Sequence, residues 1–206
     1  MRKKLSVVVS CYNEELALRQ FYKETSQVLK SLPWDYELIF VNDGSQDGSL
    51  DILNQLADED ERVKVIAFSR NFGHEAAMIA GLDYSSGDGI VCMDADLQHP
   101  PECIPSIVEA FQEGYHVINM VRTKNESAGK FKNFASSSFY RLINVLSDVK
   151  FEPNASDFFG ISRKASKVLK DHYREKVRFL RGYVQNIGFK RKNIEYEARS
   201  RVAGES

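Results

Sequence analysis

Short apolar runs alternate with amphipathic stretches through the first 122 residues of the chain. Apolar, β-branched runs are typical of buried strands, and apolar positions three or four residues apart are typical of helices that cover a sheet. The pattern predicts strands at Leu5–Ser10, Tyr36–Val41, Val63–Phe68, Gly89–Met93 and His116–Val121. It predicts helices between them at Glu14–Leu32, Asp47–Asp58 (capped by Asp47 or Ser49), His74–Tyr84 and Pro101–Glu113. This alternation predicts an α/β fold with a mostly parallel central sheet and helices on both faces.

The pattern after residue 122 is less regular. It predicts helices at Lys130–Leu146, Lys164–His172 and Val177–Val184, and strands at Ala155–Ser162 and Phe189–Glu197. No linker divides the chain, and 206 residues are enough for one domain with a sizeable core. We therefore expect a single domain over residues 1–206.

Charge and composition narrow the class of protein. The formal net charge is -1, so we expect no nucleic-acid partner. The three cysteines lack metal-ligand spacing and fit a reduced, cytosolic compartment. No signal peptide and no run of about 20 apolar residues is present, which predicts no transmembrane segment within these residues. The chain ends without a folding stop signal, so we expect a further C-terminal part. The sequence does not show whether that C-terminal part contains membrane helices. It also leaves the oligomeric state open, and a homo-oligomer is one of the possible states.

Polar segments follow four of the predicted strands. They are Ser-Cys-Tyr-Asn-Glu at 10–14, Asn-Asp-Gly-Ser at 42–45, Ser-Arg-Asn-Phe-Gly at 69–73 and Asp-Ala-Asp at 94–96. Each alone also suits a turn or a helix start. Because ligands bind at the carboxyl ends of the strands in α/β sheets, four such segments in succession favour a binding site.

Asp94 and Asp96 are the most informative of these residues. Two carboxylates separated by one small residue, directly after a buried strand, suit a divalent cation with coordination positions left for phosphate oxygens. Neither a G-x-x-x-x-G-K-[ST] loop nor a G-x-G-x-x-G motif follows the first strand. Phosphate charge must therefore be met by a metal and by basic side chains. The sequence indicates a metal-assisted enzyme acting on a phosphorylated substrate.

Three motifs carry a family resemblance. Val-Val-Val-Ser-Cys-Tyr-Asn-Glu-Glu at 7–15, Val-Asn-Asp-Gly-Ser-Gln-Asp-Gly-Ser at 41–49 and Asp-Ala-Asp-Leu-Gln-His-Pro-Pro at 94–101 resemble the inverting family-2 glycosyltransferases. Segments of the second half extend the resemblance to the polyprenyl-phosphate branch, which includes dolichol-phosphate mannosyltransferases and bactoprenol-phosphate glucosyltransferases. One departure is Ser10, where many members carry Pro. The second-half segments that carry this resemblance are Arg122 followed by Glu126, Ser137–Arg141, Ser156–Phe158 with Ser162–Lys164, Arg178–Gly182, and Arg199–Arg201 leading into Gly204–Ser206.

The resemblance implies a GT-A fold, a nucleotide-sugar donor and a lipid-phosphate acceptor at the cytosolic face of the membrane. Residues 1–122 would form the nucleotide-sugar-binding half and residues 123–206 the acceptor-binding half. UDP is favoured over GDP, and the sugar stays open. Two alternatives remain: a family-2 enzyme that glycosylates a sugar hydroxyl in polysaccharide or lipopolysaccharide synthesis, and, less favoured, a nucleotidyltransferase.

The resemblance also assigns roles to residues. The nucleotide-sugar site would include Ser10, Tyr12, Glu14, Asp43, Arg70 and Asp94. Asp94, Asp96 and Gln98 would hold Mg²⁺ or Mn²⁺, a role that suits hard oxygen ligands. Asp157 matches the position often proposed as catalytic base, and we expect it to orient the acceptor or to take a residual proton. The acceptor phosphate would be bound by Arg122, Arg181, Arg199 and Arg201. His74, His116 and His172 are expected to be structural.

Overall fold

A seven-stranded sheet forms the centre of the computed structural model, which describes residues 2–123, 152, 155–173 and 179–200. The strands are β1 (Lys4–Cys11), β2 (Asp35–Asn42), β3 (Val63–Ala67), β4 (Gly89–Asp94), β5 (Val117–Arg122), β6 (Ala155–Ser162) and β7 (Arg191–Tyr196). The helices are α1 (Leu18–Lys30), α2 (Ser49–Glu59), α3 (His74–Tyr84), α4 (Ile104–Gln112), α5 (Arg163–His172) and α6 (Leu180–Asn186), and a 3-10 turn spans Pro101–Cys103.

The strands lie in the order β3-β2-β1-β4-β6-β5-β7. Neighbours pair in parallel except β6, which is antiparallel to both β4 and β5. The predicted mostly parallel sheet is therefore confirmed. The carboxyl ends of β1, β2, β4 and β5 share one edge of the sheet, and the amino end of antiparallel β6 lies at the same edge.

Both faces of the sheet are buried, which explains the continuous apolar runs of the central strands. On β1, Val7 and Val9 pack in the cluster that contains residues of α1, α2 and α4, whereas Val8 packs in the cluster that contains residues of α3, α5 and α6. Gly81 of α3 lies directly against Val8, where an added Cβ would come within 2.1 Å of the valine Cγ1. The predicted helices on both faces are confirmed.

Several predicted boundaries were wrong by a few residues. The first helix begins at Leu18 and not at Glu14, because residues 14–17 form a turn after Asn13, which has a positive φ of 53°. The second begins at Ser49, with Gly48 at the cap position. The helix predicted at Pro101 begins as a 3-10 turn. The last helix runs over Leu180–Asn186, later than predicted. The helix predicted at Lys130–Leu146 lies outside the described residues.

Candidate functional site

The Asp94 side chain lies at the edge of the sheet where the parallel strands end. Its carboxylate makes hydrogen bonds with residues of β1 and α3. Ser10, its register partner on β1, donates from Oγ to Asp94 Oδ1 at 2.7 Å. His74 Nε2, at the start of α3, lies 2.8 Å from the same oxygen. The backbone N–H of Asp94 donates to His99 Nδ1 at 3.0 Å. These contacts fix the orientation of the carboxylate before any ligand binds.

The same contacts keep Asp94 ionised at neutral pH. Burial disfavours its charged form, but the hydrogen bonds from His74 and Ser10 and the nearby imidazoles outweigh this and hold the pKa of Asp94 at about 2. Burial also disfavours the His74 imidazolium, yet the hydrogen bond to Asp94 and the charges of Asp94 and Asp157 raise the pKa of His74 to about 9. An ionised carboxylate is the form that a cation requires.

His99 is a buried part of the floor of this site. Its ring stacks on Phe158 at a centroid distance of 5.2 Å and meets the edge of Tyr196 at 6.2 Å. Burial lowers the pKa of His99, which favours the neutral ring that accepts from the Asp94 backbone. His99 therefore supports the loop between Asp94 and His99 through its hydrogen bond to the Asp94 backbone and its stacking on Phe158.

Asp96, Gln98 and Arg122 are linked by hydrogen bonds at the loop that follows Asp94. The loop between Asp94 and His99 turns through Leu97, whose positive φ of 64° is uncommon for a residue with a branched side chain. The Gln98 N–H donates to Asp96 Oδ1 at 2.9 Å, and Arg122 Nη2 donates to Gln98 Oε1 at 3.1 Å. The structure thus brings the three residues of the predicted metal set to one loop, with a predicted phosphate-binding arginine beside them.

Asp43 is buried beneath the loop that follows β3. Its Oδ1 accepts from the Phe72 N–H at 2.7 Å and its Oδ2 from the Gly73 N–H at 2.9 Å. Gly44, which has a φ of +69°, lets the loop after β2 contact the loop after β3. A Cβ added at Gly44 would lie 2.3 Å from the backbone carbonyl carbon of Arg70, so a larger residue would push the two loops apart. Asp43 therefore holds the loop at residues 72–73 against the end of β2, and its role as a nucleobase acceptor stays a prediction.

Arg70 and Tyr12 offer exposed surface in the loops around Asp43. The Arg70 guanidinium lies 4.0 Å from the ring centroid of Phe72, which is half exposed, and Tyr12 is 43% exposed. Glu14 is buried, and its backbone N–H donates to Ser49 Oγ at 2.9 Å. The predicted nucleotide-binding roles of these residues stay predictions.

The predicted acceptor residues are only partly brought together. Asp157, near the start of β6, is close enough to both His74 and His99 for its negative charge to act on both rings. Arg181 on α6 donates from Nη1 to the Ala155 carbonyl at 3.1 Å, and so lies by the same strand end. Arg181 thus lies at the start of β6, the strand that carries Asp157, and the acceptor-binding roles of both residues stay predictions.

Arg199 makes different contacts from those that a phosphate ligand would require. Its guanidinium pairs with Glu24 Oε2 at 2.6 Å and with the Glu102 carboxylate at 2.7 Å. Arg199 could bind a phosphate only if it gave up its ion pairs with Glu24 and Glu102. Arg201 lies outside the described residues, so both assignments stay predictions.

His74 makes a contact that the sequence did not predict. It was expected to be structural, but it contacts Asp94, one of the two carboxylates of the predicted metal site. Its position directly after Gly73, at the end of the polar segment 69–73, was the available signal.

Two features are absent from residues 2–123, 152, 155–173 and 179–200. No group of three or more His, Cys, Asp or Glu side chains in those ranges is arranged to hold a metal ion. Within the same ranges, no helix has the length and apolar character that a bilayer span requires.

Comparisons with known sequences agree with the motifs. The profile of Glycosyl transferase family 2 matches residues 6–169. The chain is 44% identical over 201 residues to the "Uncharacterized glycosyltransferase YkcC" of Bacillus subtilis, covering 98% of this chain and 62% of that protein. It is 38% identical over 201 residues to the SfII prophage-derived bactoprenol glucosyl transferase of Shigella flexneri, covering 98% of this chain and 65% of that protein. The chain thus spans less than two thirds of the length of these relatives.

Solved structures share the fold at low sequence identity. Glucosyl-3-phosphoglycerate synthase of Mycobacterium tuberculosis superimposes with a TM-score of 0.64 at 18% identity, covering 98% of this chain and 73% of that protein. TarS of S. aureus, residues 1–349, gives a TM-score of 0.63 at 14% identity, covering 95% of this chain and 59% of that one. The predicted GT-A fold is confirmed.

Proposed function

Because the chain belongs to glycosyl transferase family 2, we propose that it transfers a sugar from a nucleotide sugar to a polyprenyl or dolichyl phosphate. The observation that carries this proposal is the 38% identity, over nearly the whole chain, to a bactoprenol glucosyl transferase. Residues 1–122 are proposed as the donor half and residues 123–206 as the acceptor half. The reaction takes place at the cytosolic face of the membrane, where the lipid phosphate is presented.

The donor binds over the loops that end β1, β2 and β4. UDP is the proposed nucleotide, with Tyr12, Glu14 and Arg70 lining its pocket above Asp43. Asp43 positions the loop at 72–73 through two backbone hydrogen bonds, and this loop in turn leads into His74. Ser10 and His74 hold Asp94 against the diphosphate side of the donor.

The donor atoms at this edge fit Mg²⁺ or Mn²⁺. Asp94 is ionised, Asp96 follows two residues later, and the Gln98 amide oxygen lies on the same loop, so all three offer the hard oxygen ligands that these cations prefer. A cation held there would neutralise the charge that develops on the departing nucleoside diphosphate. His74 and Ser10 act on the carboxylate itself, fixing the direction in which its oxygens point.

The acceptor phosphate lies beside Asp157, with Arg122 and Arg181 as its basic partners. A phosphate monoester has a second pKa of about 6, so it is largely dianionic at neutral pH and needs no strong base. Asp157 therefore orients the acceptor or takes a residual proton. Attack from the side opposite the leaving diphosphate inverts the anomeric centre in one displacement.

The test is transfer from UDP-glucose to a short-chain polyprenyl phosphate, compared with free sugar acceptors. We expect lipid-linked glucose with the phosphate acceptor and none with the free sugars. Transfer to the sugars alone would show that the chain glycosylates a hydroxyl. Release of pyrophosphate from UTP and a sugar phosphate would show a nucleotidyltransferase.

Asp157→Asn separates the two roles of this carboxylate. If Asp157 orients the acceptor, the variant is slower than the wild type but still transfers to lipid phosphate at pH 8, where the acceptor is fully dianionic. Complete inactivity at pH 8 would contradict the orienting role and identify an obligatory base.

A further inference from the structure

Glu75 follows His74 in the first turn of α3 and reaches a different element. Its Oε2 accepts from the backbone N–H of Leu180 at 2.8 Å, across 105 residues of sequence. Leu180 is the first residue of α6, and Arg181 is the second. Two consecutive side chains of α3 therefore contact the Asp94 carboxylate on one side and the start of α6 on the other.

Two further polar contacts of α6 involve Ala155, the first residue of β6, and Glu152, three residues before it. Arg181 donates to the Ala155 carbonyl at 3.1 Å, and Gln185 Oε1 accepts from the Glu152 N–H at 2.6 Å. Glu75 differs from these because it belongs to the donor half of the chain.

The electrostatic surroundings of Glu75 place it among the proposed site residues. Burial raises its pKa, and the hydrogen bond from Leu180 opposes this rise. The charge of Asp157 raises the pKa further, whereas the charges of His74 and Arg181 lower it, with a net rise. The carboxylate thus lies within electrostatic range of the donor side and of both proposed acceptor residues.

We propose that Glu75 is a positioning residue that docks α6 onto the donor half and thereby places Arg181 beside the acceptor phosphate. The inference rests on the function proposed above. A carboxylate that accepts a buried backbone N–H makes a charge-assisted hydrogen bond, and removing it leaves that N–H without its partner. The helix then shifts, and Arg181 shifts with it, whereas the loops that bind the nucleotide keep their own contacts.

The experiment compares Glu75→Ala and Glu75→Gln with the wild type. Glutamine keeps a side-chain oxygen that accepts from Leu180, and alanine does not. Asp60→Ala is the matched control, because Asp60 Oδ1 also accepts a backbone N–H, that of Arg62 at 3.0 Å, just before β3 begins. Three quantities are measured: hydrogen exchange of the Leu180 amide, the KM for polyprenyl phosphate, and the Kd for UDP.

For Glu75→Ala we expect faster exchange at Leu180 and an acceptor KM raised by about tenfold or more, with the UDP Kd within about threefold of wild type. Glu75→Gln should restore both the protection and the KM, and Asp60→Ala should leave all three unchanged. An unchanged acceptor KM in Glu75→Ala overturns the inference, as does a raised KM with full protection at Leu180. If the wild type transfers no sugar to lipid phosphate, the proposed function itself has failed.

Discussion

Glu37 on β2 offers a sharp test of what holds the sheet together. The side chain is buried, and its carboxylate accepts from the two ammonium groups of Lys4 at 2.8 Å and Lys64 at 2.7 Å. It also accepts from Ser6 Oγ at 2.6 Å and from the Ser86 N–H at 2.8 Å. These partners come from β1, from β3 and from the segment before β4. Glu37 therefore ties together the strands whose opposite ends carry the proposed donor site.

We predict that Glu37→Gln lowers the free energy of unfolding by about 2–3 kcal/mol at pH 7. Breaking a fully buried ion pair costs about 3–5 kcal/mol. The lysine side chains are 35% and 50% exposed and keep part of their hydration, which reduces this figure. For a domain of this size the change corresponds to a fall in Tm of about 4–12 °C.

The effect depends on pH in a defined direction. Burial alone would raise the pKa of Glu37, but the hydrogen bonds from Lys4, Lys64 and Ser6 outweigh it and hold the pKa well below its usual range. In the unfolded chain the glutamate pKa is about 4.3. The stabilisation is thus fully present above that pH and is lost as the pH falls towards the folded-state pKa.

Urea unfolding of the wild type and Glu37→Gln at several pH values between 7 and 3 measures this difference. Asp35→Asn is the control, since Asp35 pairs with Arg2 at 3.3 Å with both side chains more than half exposed, and it should cost less than about 0.5 kcal/mol. A cost below about 0.5 kcal/mol for Glu37→Gln at pH 7, or an equal cost at pH 7 and pH 3, would show that the ion pairs of Glu37 do not stabilise the sheet.

Two glycine substitutions test close approaches in the fold. Gly44→Ala places a Cβ 2.3 Å from the Arg70 backbone at a φ of +69°. We therefore predict a loss of about 2 kcal/mol or more in the free energy of unfolding, and weaker UDP binding. An unchanged UDP affinity in a calorimetric titration would show that this contact does not shape the nucleotide pocket. Gly81→Ala meets Val8 Cγ1 at 2.1 Å, so we predict a cost of about 1–3 kcal/mol in urea unfolding with the UDP affinity preserved. Wild-type stability for Gly81→Ala would mean that α3 can move away from the sheet freely.

The elements that carry the proposed donor site were predictable, because each is marked by a local pattern in the sequence. An apolar run followed by a polar segment places Ser10, Asp43 and Asp94 at strand ends, and parallel strands bring those ends to one edge. The pairing of Ser10 with Asp94 then follows from the adjacency of β1 and β4.

Contacts between distant elements were not predictable in this way. The position of His74 against Asp94 depends on how α3 crosses the sheet, and the ion pairs of Arg199 depend on where the chain returns to α1. The antiparallel insertion of β6 between β4 and β5 is a property of strand order, which the spacing of apolar residues does not record.

The proposed function depends on a divalent cation bound by Asp94 and Asp96 at the edge of the sheet. The most direct test is Mn²⁺ binding in the presence of UDP, followed by the electron paramagnetic resonance signal of the free ion. The double variant Asp94→Asn plus Asp96→Asn should bind Mn²⁺ at least about tenfold more weakly than the wild type. The control is the double variant Asp51→Asn plus Asp58→Asn, because both residues lie on the exposed face of α2. This control should bind Mn²⁺ as tightly as the wild type does. Equal Mn²⁺ affinity in the wild type and the Asp94/Asp96 variant would contradict the account.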